Sequence, residues 1–91
     1  MLRAVEVRIT GRVQGVFFRA SCAEYARQLG VRGWVRNEPD GSVLAHFEGG
    51  WTSIEEILEW CRKGPRRADV EDVEVSKVAP IGAEGFDVDR H

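Results

Sequence analysis

Residues 11–19 read GRVQGVFFR, and they carry the residue types from which an anion site is built. Gly11 and Gly15 bracket a short polar turn between an alternating segment and an amphipathic one, and the bracket ends in Arg19. Glycine reaches backbone conformations closed to other residues and lets a ligand come close to the amides. Unpaired N–H groups at a helix start, with the positive end of the dipole behind them, attract anions. Arg19 is out of place there, since a cation in the first turn opposes the dipole by about 0.3–1 kcal/mol unless an anion lies between them. The amides of Gln14, Gly15, Val16, Phe17 and Phe18, with the guanidinium of Arg19, form a candidate phosphate cradle. An ordinary strand-to-helix turn with a solvated arginine fits the same spacing. Spacing alone does not separate the two.

The elements that must position this stretch follow from periodicity. Val5, Val7 and Ile9 alternate with Glu6 and Arg8, which predicts a half-buried strand. Phe18, Cys22, Tyr25, Ala26 and Leu29 recur at helical spacing, and Gly30 supplies a stop. A second strand is expected over 32–37, then a Pro-Asp-Gly turn, then a third strand in which Val43, Ala45 and Phe47 alternate with Leu44, His46 and Glu48. Thr52 and Glu55 form a capping-box signature for a second helix, with Trp51 as a staple at its start. Ile54, Ile57, Leu58 and Cys61 make its apolar stripe, and Gly64-Pro65 ends it. A fourth strand spans 70–78, and Phe86 and Val88 suggest a short fifth at the edge. The order β-α-β-β-α-β gives two helices covering one face of a mainly antiparallel four-stranded sheet, a two-layer α+β sandwich.

Ninety-one residues suit a single domain spanning 1–91. A net charge of −2 gives no general attraction to nucleic acid or anionic lipid, so any anion binding must be local. The N-terminus MLRAVEVRIT is too polar for a signal peptide, and no apolar run spans a bilayer. A cytoplasmic location and a monomer are the defaults. Cys22 and Cys61 fall on the apolar faces of the two helices. They read as buried free thiols, with a bridge left open if those helices are neighbours.

Strands one and two are joined through a helix, so they run parallel with a right-handed crossover, and strand three fits between them. The C-terminal ends of strands one and two then share one edge of the sheet. Arg19 begins the helix at that edge and Asn37 ends strand two there, although 18 positions separate them in the chain.

GRVQGVFFR at 11–19 together with GWVRNEPDGSV at 33–43 resembles the acylphosphatase family, and the resemblance extends to the apolar ending GFDVDR. It implies a ferredoxin-like fold and hydrolysis of acyl phosphates to a carboxylate and inorganic phosphate, without a cofactor. The family's phosphate-binding arginine maps onto Arg19 and its water-positioning asparagine onto Asn37. Phosphoryl transfer depends on positioning and charge stabilisation more than on covalent chemistry. Asn37 can orient water but is a poor base. That suffices here, because a carboxylate leaving group with a pKa of about 4 departs unprotonated.

Other motifs read as structure. His46 and His91 have no partner at metal-ligand spacing, and His46 is expected on the outer face of the sheet, solvated or structural. Cys61–Arg67 shows the Cys-x5-Arg spacing of cysteine phosphatases, but Cys61 ends a helix, where the dipole does not favour a thiolate. Glu55, Glu56 and Glu59 are a solvated helix face, and Trp34 and Trp60 are packing residues. The alternative on this scaffold is a non-catalytic binding or regulatory module with an RNA or protein partner. RNA-reading sheets display aromatics in basic surroundings, whereas strand three here offers Leu44, His46 and Glu48 on an acidic chain.

Overall fold

Alternating apolar side chains make β1 (Arg3–Arg12) a strand with Val5, Val7 and Ile9 buried on one side. In this computed structural model, which describes residues 2–90, the strand runs past the alternating core through Gly11. His91 lies outside the described residues. The chain then forms α1 (Phe18–Leu29), β2 (Arg32–Asn37), β3 (Val43–Gly49), α2 (Trp51–Lys63), β4 (Asp69–Lys77) and β5 (Phe86–Asp89). The sheet order is β4-β1-β3-β2-β5, antiparallel throughout except for the parallel pair β2 and β5. The ferredoxin-like arrangement is thus present with β3 between β1 and β2, and the sheet has five strands.

Gly11 does not bracket the turn. It sits in β1 at a bulge against β4, with φ 117°, where a Cβ would stand 2.3 Å from the Asp69 carbonyl oxygen. Only glycine permits that approach of two backbones. The turn itself is folded by Gly15, at φ 73°.

The helices bury one stripe each on the same face of the sheet. Phe18, Cys22, Ala23 and Ala26 of α1 meet Ile54, Ile57, Leu58 and Cys61 of α2 over the apolar side of β1, β3 and β2. Phe18 is 1% exposed and packs 5.1 Å from the Trp60 ring, and burial of such a side chain is worth about 2–3 kcal/mol. Cys22 and Cys61 are free thiols in mutual contact. The hydrogen bond with Cys61 and the apolar surroundings push the Cys22 thiol well up, so it stays protonated.

The second helix starts without its capping box. Its N-cap is Gly50, whose carbonyl accepts from the Ile54 amide, and Thr52 lies inside the first turn. The extended Gly50 leads straight from β3 into the helix, leaving Thr52 two positions too late to cap. Trp51 is half-exposed with the Arg3 guanidinium 5.1 Å from its ring centroid, so it does not staple the helix start.

The outer face of the sheet departs most from expectation. All seven residues of β3 are buried, including Leu44, His46 and Glu48. Because β4 and β5 lie at opposite edges, the chain between them must cross the sheet, and residues 78–85 cross over this face. The Glu48 carboxylate fastens that strap by accepting from the amides of Ile81 and Ala83 and bonding the His46 ring at 2.6 Å. Trp34 stacks on His46 with ring centroids 6.0 Å apart, beneath Arg36. His46 is therefore structural and not solvated, and β3 offers no open platform.

Burial pushes the Glu48 carboxyl up, but the Ile81 amide, His46 and the Ala83 amide outweigh it and hold it below the usual range. A carboxyl depressed in the folded state stabilises fully above its unfolded pKa, about 4.3, and that contribution disappears as pH falls through the folded value. Glu48→Ala is expected to lower stability at neutral pH by about 3 kcal/mol, because two amides and a ring lose a buried charged acceptor. Urea midpoints check the size of the loss. They should fall less steeply in Glu48→Gln than in the wild type between about pH 5 and pH 3.

Candidate active site

Four elements end at one edge of the sheet. β1 and β2 finish there, β3 and α1 begin there, and the 13–17 segment connects β1 to α1 across it. Gly15 and Phe17 both have positive φ, 73° and 63°. Positive φ at alternate positions folds the segment back on itself, in the manner of the backbone concavities that bind anions. Phe17 is a bulky residue in a left-handed conformation, which costs about 1–3 kcal/mol. It is also 73% exposed, so no burial offsets the strain.

The strained residue is the N-cap of α1. No side chain caps this end, no acid stands in the first turn, and the Phe17 carbonyl accepts the first helical bond from the Ser21 amide. The opening amides of α1 therefore have no acceptor within the helix. Arg19 occupies this positive end and is paired with no carboxylate among the described residues.

A cavity of about 320 Å³ opens in front of this helix start. Val13, Gly15, Phe17 and Phe18 form one side of it, with Arg19 and Ala20 from the first turn. Asn37 reaches it from the end of β2, and Arg90 from the residue after β5. Arg19 and Asn37, placed together by topology in the sequence, thus meet in one pocket. Asn37 projects to the helix side because side chains two apart on a strand share a face, and Val35 lies in the core. Its Oδ1 is buried with no hydrogen-bond partner. Among the described residues, no acidic side chain lines the pocket.

Gln14 and Val16 line no part of it with their side chains. The Gln14 amide group donates to the Glu38 and Ser42 carbonyls at 2.8 and 2.9 Å, which ties the segment to the β2–β3 turn beside Asn37. Val16 is buried in the core and anchors the segment from below. That turn is itself braced. Asp40 Oδ1 accepts from the Ser42 amide and hydroxyl, and Arg8 donates to Ser42 Oγ at 2.8 Å. The Ser42 hydroxyl and amide, with Arg8 nearby, keep the Asp40 carboxyl below its usual range.

Arg90 was not evident from the sequence. The usable signal was period-two alternation, which puts it on the same face as Val88; its place at the strand end of Asn37 comes only from the parallel pairing of β5 with β2. Cys61, of the Cys-x5-Arg spacing, is fully buried between the helices and does not line the pocket. No group of three or more His, Cys, Asp or Glu side chains is arranged to hold a metal among the described residues, and no helix there is long and apolar enough to cross a membrane.

Comparison with known proteins bears on the same stretch of chain. The acylphosphatase family model matches residues 5–88. An acylphosphatase of Rubrobacter xylanophilus is 54% identical over 87 residues, covering 94% of this chain and 79% of its own. The solved acylphosphatase structure from Coxiella burnetii superposes with a TM-score of 0.94 at 34% identity, covering 97% of this chain and 93% of that one. Full-length HypF contains the same fold in 12% of its length, with a TM-score of 0.89 at 22% identity over 99% of this chain. Identity above half with relatives of similar length, a family match over nearly the whole chain and a near-superposable solved relative agree with the two motifs that frame the pocket. The chain belongs to the acylphosphatase family.

Proposed function

We propose that this enzyme, which hydrolyses the carboxyl–phosphate bond of acyl phosphates, does so in the pocket at the start of α1. The observation that carries the reading is the buried Oδ1 of Asn37, unpartnered among the described residues, beside a cavity that also holds Arg19 and to which no described residue brings a carboxylate. The free amides of the 14–18 segment and the Arg19 fork hold the non-bridging phosphoryl oxygens. These donors gain most when charge shifts onto the oxygens in the transition state. Asn37 Oδ1 accepts one hydrogen of the attacking water and directs its lone pair at phosphorus. The carboxylate leaves opposite the water without taking a proton.

No step calls for a metal ion. Hydrolysis of benzoyl phosphate is expected to proceed at the same rate with and without a chelator, with competitive inhibition by inorganic phosphate. A rate lost to the chelator and restored by a divalent cation overturns the metal-free reading. Failure of phosphate to compete overturns the pocket assignment.

The exposed sheet edges support a monomer. β4 carries Asp69, Glu71, Asp72 and Glu74, so pairing with the same edge of a second copy would set acids against acids. The buried free thiols of Cys22 and Cys61 support a reducing, cytoplasmic setting.

A further inference from the structure

We propose that Arg90 is a second phosphoryl-binding cation, acting on the phosphate from the side of the attacking water. The inference rests on the pocket assignment above and goes beyond it by adding the residue that follows the last strand. The parallel register pairs Gly33 with Phe86 and Arg36 with Asp89, so the next step sets Arg90 beside Asn37. Neighbouring strands lie about 4.8 Å apart, within reach of one bound group. Val35 and Val88 point to the helix side, and alternation sends Asn37 and Arg90 the same way, into the pocket both of them line.

The strand that carries Arg90 is firmly held. Arg27 of α1 donates through Nε and Nη2 to the Phe86 carbonyl, the Gly33 amide donates to the Gly85 carbonyl, and Phe86 stacks on Phe47. Arg90 itself makes no ion pair among the described residues. A second guanidinium with no ion-pair partner among the described residues, in a pocket to which those residues bring no acid, has an anion as its natural partner.

In-line displacement decides which part of the substrate it meets. The water held by Asn37 and the departing carboxylate lie on opposite sides of phosphorus. Arg90 flanks Asn37, so it faces the phosphoryl oxygens and not the acyl tail. The affected quantity is affinity for phosphate itself, whatever acyl group is attached.

The test compares wild type, Arg90→Gln, Arg90→Lys and Arg19→Ala. The readouts are the inhibition constant of inorganic phosphate and kcat/KM for acetyl phosphate and succinyl phosphate. Arg90→Gln is expected to weaken phosphate inhibition about tenfold and to lower kcat/KM by one common factor for both substrates. Arg90→Lys should recover part of the loss, since it keeps the charge without the fork. The dependence of phosphate inhibition on ionic strength should be shallower in Arg90→Gln than in the wild type. Unchanged phosphate inhibition in Arg90→Gln, or a fall confined to succinyl phosphate, overturns the proposal. If that occurs while Arg19→Ala loses inhibition, the pocket assignment stands and Arg90 alone is removed. Retained inhibition in Arg19→Ala overturns both.

Discussion

Arg19→Ala is expected to lower kcat/KM for benzoyl phosphate by about a thousandfold or more and to abolish inhibition by inorganic phosphate. The magnitude follows from losing a bidentate, charge-assisted donor whose effect is largest in the transition state. The same change should leave the protein as stable as before, or slightly more so. Arg19 stands in the first turn of α1, with no carboxylate paired to it among the described residues. Removing a cation from that end relieves about 0.3–1 kcal/mol of unfavourable interaction with the dipole, and alanine is the best helix former. Unfolding curves and phosphate inhibition measured on one preparation separate the two effects. A variant that still binds phosphate as the wild type does would remove Arg19 from the site.

The second large effect belongs to Asn37. Asn37→Ala is expected to keep phosphate inhibition within a few-fold while kcat falls by about a hundredfold to a thousandfold, the pattern of a group acting in the transition state. Here too stability should rise. Asn37 Oδ1 is buried without a partner, and relief of an unsatisfied buried acceptor is worth about 1–3 kcal/mol. Asn37→Asp gives a contrasting result, because a carboxylate at this position repels the phosphoryl group and raises KM. Near-normal kcat in the alanine variant would exclude Asn37 from the mechanism. Loss of turnover in both variants with stability kept or raised would mark a site held in a strained, unsatisfied state for its ligand.

Much of this arrangement is legible in the sequence, for identifiable reasons. β2 falls at Arg32–Asn37 because the Gly30 helix stop precedes it and the Pro-Asp-Gly turn follows it. α1 runs from Phe18 to Leu29 because its apolar spacing and Gly30 define it. The handedness of the β1-α1-β2 connection is enough to bring Arg19 and Asn37 to one edge. The missed features depend on distant partners. The four residues of β5 carry no mark of pairing with β2, so Arg90 could not be placed beside Asn37. The 78–85 strap has no periodicity, and its path follows only from β4 and β5 lying at opposite edges. Leu44, His46 and Glu48 therefore read as a solvated face until the strap covers them. Gly11 and Thr52 follow local rules for a turn and a cap, and both are overruled by the strand and helix running past them.

The position of β1 inside the sheet, between β4 and β3, has a consequence for how the molecule is made. Ile9 pairs with Val43 on one side, and Val5 pairs with Lys77 on the other. Chains whose pairings span long stretches of sequence must close large loops before any contact rewards them, and they fold over milliseconds to seconds. A growing polypeptide leaving the ribosome would thus carry β1 as an unpaired apolar ribbon until tens of further residues have emerged. Throughout that interval Val5, Val7 and Ile9 face water, an apolar stripe of the kind that unfolded chains bury against whatever they meet.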